Sequence, residues 1–239
     1  DGPHTFAVKA IDPAENTAQA THPWTVDTTP PTVEITGGKP GDPTNSKSAS
    51  FTFTTSESSM ECKLDSGLFA ACTSPRSFSN LPDGQHTFTV RATDAAGNTG
   101  QDSHSWTIDS AAPTVAITGE PANPTKSRSA GFTFTTSEPA QCSLDAAPFA
   151  PCNSPTGYSG LPDGTHTFVV RATDAAGNTG QDIYEWRIDN VAPTLVIVQK
   201  PTNPSNVKSP TFAFTVSEGG STVQCKVDSS AFANCSSPT

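Results

Sequence analysis

The sequence has little positive charge: 13 Lys and Arg stand against 23 Asp and Glu, for a formal charge of −10. Binding nucleic acid needs a basic stripe that neutralises phosphates, so this balance argues against it, and it equally disfavours anionic membranes. Long apolar runs are also missing. The longest lies around Thr194 to Val198, far short of the roughly 20 residues that cross a bilayer as a helix. No segment holds apolar residues at i, i+3, i+4 and i+7 over a helical length, so helices are not expected. No Ser/His/Asp or Cys/His set stands out, and an enzyme is not expected. The sequence opens without a basic stretch leading into an apolar one, so any leader or anchor is expected to lie outside it.

What the sequence does contain is repetition. DGQHTFTVRATDAAGNTG at Asp83–Gly100 returns as DGTHTFVVRATDAAGNTG at Asp163–Gly180, and a worn copy, DGPHTFAVKAIDPAENTA, begins at Asp1. Trp24, Trp106 and Trp186 keep the same interval, and so do Cys62/Cys72, Cys142/Cys152 and Cys225/Cys235. A unit of about 80 residues is copied in tandem. Units this small bury little core and tend to need staples. Six cysteines in three evenly spaced pairs read as one disulfide per unit, formed in an oxidising compartment. Reduced, buried thiols are the plainer alternative. Zinc is not implied, because nine residues between two cysteines with no further ligand supply half a site.

Within one copy the apolar residues alternate with period 2: Val115 and Ile117, Phe132 and Phe134, Cys142 and Leu144, then Phe168, Val170 and Ala172, and finally Trp186 and Ile188. Short half-buried strands separated by NPT, DAAP, LPDG and AAGN describe an all-β chain of antiparallel sandwiches, about seven strands per unit. A disordered Ser/Thr/Pro stalk would not show this alternation. Boundaries fall at proline junctions, dividing the chain into residues 1–27 (the C-terminal part of a repeat, here the head), 28–109 and 110–189 (two full repeats), and 190–239 (the N-terminal part of a repeat, here the tail). Loops of about four residues with a proline-fixed φ are too short to swivel freely, so a stiff file of units is expected.

The run CSLDAAPFAPCNSP, followed by LPDGTHTFVVRATDAAGNTG and a W-x-I-D-x-x-AP ending, resembles the bacterial immunoglobulin-like repeat of multidomain secreted and cell-surface proteins. The resemblance covers nearly the whole chain. It implies tandem immunoglobulin-like sandwiches used as spacer, stalk or adhesive module, and it brings no catalytic residues. In antibody-type domains the bridge joins the two sheets beside a Trp on a middle strand. Here the cysteines are ten apart, so the bridge is expected to staple a local hairpin, with the Trp on the last strand.

Site candidates divide into core and ligand. Phe88, Trp106, Phe168 and Trp186 are expected in the core, each Trp facing the Phe of the preceding strand. On that pairing His86 would lie opposite Ile108 and His104 opposite Val90, leaving no pair of imidazoles for a metal. Asp27, Asp94, Asp109, Asp174 and Asp189 recur at turns and junctions, where oxygen ligands from two units could hold a calcium ion. The alternative is that Asp94 and Asp174 cap the turn and the others are solvated linker acids; no other cofactor is expected. Lys47 and Lys208, each with a glutamate downstream, suggest an isopeptide staple, but Arg128 at the matching position cannot form one.

These readings point to an extracellular structural protein, secreted or at the cell surface, that forms a stiff stalk or fibre. The competing class is an adhesin that recognises a glycan or protein through its loops. The near identity of the two long blocks favours the scaffold, since recognition needs unique surfaces. The two ends are expected to be complementary parts of one repeat, lacking only the residues that match Gly157–Pro162. Either a further repeat of a continuous fibre completes each end, or the tail of one copy takes the head of the next.

Overall fold

The computed structural model describes residues 1–238, and no helix occurs among them. Two compact units divide the chain: Asp1–Glu120 with Phe132–Thr156 and Thr167–Tyr184, and Pro121–Gly131 with Gly157–His166 and Glu185 onward.

The first unit opens with the head hairpin, β1 (Gly2–Ile11) and β2 (Thr17–Val26). The first full repeat follows as β3 (Val33–Gly37), β4 (Ala49–Thr55), β5 (Met60–Leu64), β6 (Ala70–Ala71), β7 (Arg76–Phe78), β8 (Gly84–Thr93) and β9 (Thr99–Ile108). Its strands form two sheets, ordered β3-β4-β7 and β6-β5-β8-β9. Alternation sends Phe51 and Phe53 of β4 and Phe88 and Val90 of β8 to the faces between the sheets, where all are buried. Phe51 stacks on Phe88 with centroids 4.5 Å apart, and Trp106 on β9 lies 5.3 Å from Phe51. Burying these rings anchors the sandwich.

The second full repeat has the same series: β10 (Val115–Gly119), β11 (Ser129–Thr136), β12 (Ala140–Leu144), β13 (Ala150–Pro151), β14 (Thr156–Ser159), β15 (Gly164–Thr173) and β16 (Thr179–Ile188), ordered β10-β11-β14 and β13-β12-β15-β16. Phe132 stacks on Phe168 at 4.0 Å, and both Phe168 and Trp186 are buried. The second unit ends with β17 (Leu195–Gln199), β18 (Ala213–Val216), β19 (Gln224–Cys225) and β20 (Ala233–Asn234), which pair as β17–β18 and β19–β20.

Each disulfide, Cys62–Cys72, Cys142–Cys152 and Cys225–Cys235, closes a hairpin within its own repeat. Beside the first of these, the Arg91 guanidinium lies 3.7 Å over the Phe69 ring and bonds Glu61, and Arg171 covers Phe149 in the same way. The β8–β9 register departs from expectation by two residues. Trp106 faces His86, and His104 faces Phe88. The reason is the turn: Thr93 pairs with Thr99, and the five residues between them form a closed loop. Phe88 and Trp106 share one core without being cross-strand partners.

Among the described residues the buried indole Nε1 of Trp106 has no hydrogen-bond acceptor, which costs about 1–3 kcal/mol. Trp106→Ala is expected to destabilise the first repeat by about 3–5 kcal/mol, and Trp106→Phe by roughly half as much or less, because Phe removes the unpaired N–H together with some packing. Chemical denaturation followed by near-UV circular dichroism checks the ordering.

Candidate functional site

The recurrent DAAGN block builds a turn that also grips the neighbouring linker. The Asp94 N–H donates to the Asn98 carbonyl at 3.0 Å, and the Gly97 N–H returns to the Asp94 carbonyl at 3.2 Å. Asp94 Oδ1 accepts the N–H groups of Ala96 and Asn98, both at 2.9 Å, while Oδ2 accepts Asn98 Nδ2 at 2.9 Å. Gly97 and Gly177 have φ near +94° and +91°, where a residue without Cβ is unstrained. Asp174 with Asn178 and Asp12 with Asn16 form the same clasp. The donated bonds, the Asn side chain first, hold the carboxyls of Asp12, Asp94 and Asp174 below the usual carboxylate range.

The Asn amide carries a second N–H, and it reaches outside the turn. Asn98 Nδ2 donates to the Asp27 carbonyl at 3.0 Å, and Asn178 Nδ2 to the Asp109 carbonyl at 2.8 Å. The linker is held from its other side as well. The Asp109 N–H donates to Thr44 O and the Thr44 N–H to Thr107 O, each at 3.0 Å. Ser110 Oγ donates to the Asp83 carboxylate at 2.7 Å, and Lys47 pairs with the same carboxylate at 3.1 Å. The two repeats also touch directly, since the Asn45 N–H donates to the Ala176 carbonyl at 3.2 Å. Finally, the linker carbonyls of Pro31 and Pro113 lie where a Cβ on Gly100 and Gly180 would stand, at 1.9 and 2.0 Å. The linker Asp109–Pro113 is thus fastened by Asp83 and Thr44 behind it and by Asn178 ahead of it.

These contacts settle where the candidate residues sit. Asp94 and Asp174 occupy the turn. Asp27, Asp109 and Asp189 lie in the linkers, where their Oδ1 atoms accept the N–H of Thr29, Ala111 and Val191, each at 3.0 Å. Asp189 also pairs with Arg187. The turn and linker acids meet through the Asn amide rather than by converging their oxygens, and no group of three or more His, Cys, Asp or Glu is placed to hold a metal among the described residues. Lys47 and Arg128 pair with Asp83 and Asp163, the acids that open the DG-x-HTF block. Sequence reasoning passed over Asp83, Asp163, Asn98 and Asn178. Their signal was present: each recurs at a fixed place beside a junction.

His86 is buried and accepted on both sides, Nδ1 at 2.9 Å from the Asp65 carboxylate and Nε2 at 2.9 Å from the Pro82 carbonyl. Two acceptors suit an imidazolium, which donates from both nitrogens. Burial, the largest influence, pushes its pKa down, but the Pro82 and Asp65 bonds together outweigh it and leave the group above its ordinary value. His166 keeps the bond to Pro162, also 2.9 Å.

Residues 74–133 match the family model of the bacterial Ig-like domain, group 3, a stretch running from the end of one sandwich into the next. The chain is similar to proteins of this kind over that stretch. Among solved structures it is similar to fibronectin(III)-like modules of Clostridium thermocellum CbhA, at 16% identity over 66% of this chain and 94% of that one, with a TM-score of 0.41. A 1.5-MDa bacterial ice-binding adhesin gives 15% identity, 79% and 74% coverage and a TM-score of 0.41. The tetra-tandem repeat in the extending region of a large adhesion protein gives 21%, 90% and 64%, and 0.29. No curated protein matches.

Two outcomes follow. A raised folded pKa at His86 stabilises fully below the unfolded value near 6.5, and the gain is lost as pH rises through the folded value. The lowered aspartates act oppositely: their contribution is present above about pH 4 and lost as pH falls through the folded values. The melting temperature is therefore expected to peak between these windows, and Asp65→Asn to flatten its alkaline limb, as scanning calorimetry across pH would report. Asn178→Ala is expected to speed hydrogen exchange at the Asn45 amide by about fivefold or more, because a bond worth about 1 kcal/mol no longer steadies the linker.

Proposed function

We propose that the protein is a structural segment of an extracellular or cell-surface bacterial protein. It works as a stiff, non-catalytic spacer whose repeats are bounded at residues 28–109 and 110–189. The observation that carries this reading is the linker fastened from both sides, by Asp83 and Thr44 of one repeat and Asn178 of the next. A flexible tether would need none of these bonds, whereas a stalk that holds a direction does. The three hairpin disulfides and the match to a bacterial Ig-like family support an extracellular setting. No helix among the described residues is long and apolar enough to cross a membrane.

The head and tail belong to the same reading. Phe6 and Trp24 are 60% and 44% exposed, whereas Phe88 and Trp106, their counterparts in the first full repeat, are 0% and 1% exposed. In the tail Ile197 is 56% exposed, against 1% for Ile35. Both faces correspond to positions that are core in the first full repeat.

A spacer is defined by its length, so replacing residues 110–189 with a second copy of residues 28–109 is expected to preserve surface display or adhesion by the parent protein. Deleting them should shorten its reach. Loss of activity on the swap, with folding intact, would overturn the spacer reading in favour of recognition by the second repeat's own loops.

A further inference from the structure

In the first full repeat β9 is the outer strand of its sheet, and the chain from Pro31 to Thr44 runs along its free edge in the same direction. Contacts pair in ascending order on both sides. Gly100 lies against Pro31, whose carbonyl oxygen stands 1.9 Å from where a Cβ would be. Asp102 Oδ2 accepts the Ile35 N–H at 2.8 Å, and Asp42 Oδ1 accepts the Thr107 N–H at 2.9 Å. Thr44 then joins Ile108 in a parallel bridge, donating its N–H to Thr107 O and accepting the Asp109 N–H, each at 3.0 Å. The second repeat has the series again: Gly180 against Pro113, Asp182 Oδ2 on the Ile117 N–H at 2.8 Å, Asn123 Oδ1 on the Arg187 N–H at 3.0 Å, and a parallel bridge of Thr125 with Ile188.

This seam matters once the chain is pulled. Tension enters the first repeat ahead of Pro31 and leaves it after Ile108. Because the two edges run parallel, the start of one lies beside the start of the other, so pulling slides them past each other along the strand direction. All the bonds between them are then loaded together, whereas an antiparallel pair pulled from adjacent ends opens one bond at a time. In the first repeat two of the bonds end on a carboxylate, Asp102 and Asp42, and a hydrogen bond to an ionised acceptor is roughly twice as strong as a neutral one.

We infer that each full repeat is a tension-bearing clamp, in which load shears the first segment against the last strand and Asp102 and Asp182 hold the seam. This deepens the spacer reading and rests on it, since a segment placed between an anchor and a load has to resist extension. The disulfide Cys62–Cys72 lies off the loaded path, closing β5 to β6 at the opposite edge of the sheet from the seam.

The test stretches the full chain between handles at its two ends by single-molecule force spectroscopy. Two steps of roughly 200 Å are expected, one per full repeat, because about 80 residues less the ten held by each disulfide extend at about 3.3–3.6 Å apiece, from which the folded length is subtracted. Forced unfolding reads the unfolding rate. Asp102→Ala/Asp182→Ala is expected to raise that rate under load by about tenfold or more, whereas Val90→Ala/Val170→Ala, which lowers the melting temperature from the core, should change it by about twofold or less. Should alanine prevent folding, Asp102→Asn/Asp182→Asn, which keeps an acceptor oxygen without the charge, is expected to raise it by about threefold. Equal rates in the aspartate variants and the unaltered chain would overturn the inference. An equal rise in the valine variant would also overturn it, by tying resistance to overall stability instead of to the seam. The spacer reading fails separately: lost display after the repeat swap, with both steps keeping their force, would sink that reading and leave the clamp standing.

Discussion

The bond between an aspartate carboxylate and an asparagine amide four residues later governs both the sandwich and its neighbour. One N–H of Asn98 or Asn178 closes the hairpin on Asp94 or Asp174, and the other holds the linker carbonyl of Asp27 or Asp109. Because the clasp leaves five residues between Thr93 and Thr99, it sets the register of β8 against β9. That register puts Trp106 between His86 and His104 and against Phe51. A sheet register fixed by a turn decides which side chains share a face. The same Asn side chains also reach the linker carbonyls of Asp27 and Asp109.

Much of the fold was legible because its signals were local or repeated. Period-2 alternation pointed to the strands, the recurring motifs suggested a unit of about 80 residues, and the ten-residue separation of paired cysteines suggested local hairpin bridges. The register was not legible. Facing Phe88 with Trp106 assumes a turn two residues longer, and whether Asp94 takes part in pairing or in the loop depends on bonds that composition does not reveal. Hairpin register follows the turn's geometry, and a capped five-residue loop leaves no mark beyond D-x-x-x-N.

The junction was half legible. Its aspartates stood out as charged and recurrent, which left two readings: oxygen ligands for a calcium ion, or turn caps at Asp94 and Asp174 with solvated linker acids. The partners they use are N–H donors: Ala96 and Asn98 at the turn, Thr29 and Ala111 in the linkers. Asn is neutral and common in turns, so its second N–H drew no notice. The same holds for Gly100 and Gly180, which look like ordinary strand glycines until the Pro31 and Pro113 carbonyls are seen against them. Small residues at close approaches carry specificity that hydrophobic patterning misses.

The proposed spacer role requires the fastened linker to hold adjoining repeats in one relative orientation. Nitroxide labels on the exposed hairpin tips at Ser66 and Ala146 would test it most directly, by electron-electron double resonance on the full chain. The account predicts a single, narrow distance distribution, no wider than the labels' own rotamers allow, that broadens in Asn178→Ala. A broad distribution in the unaltered protein would contradict it.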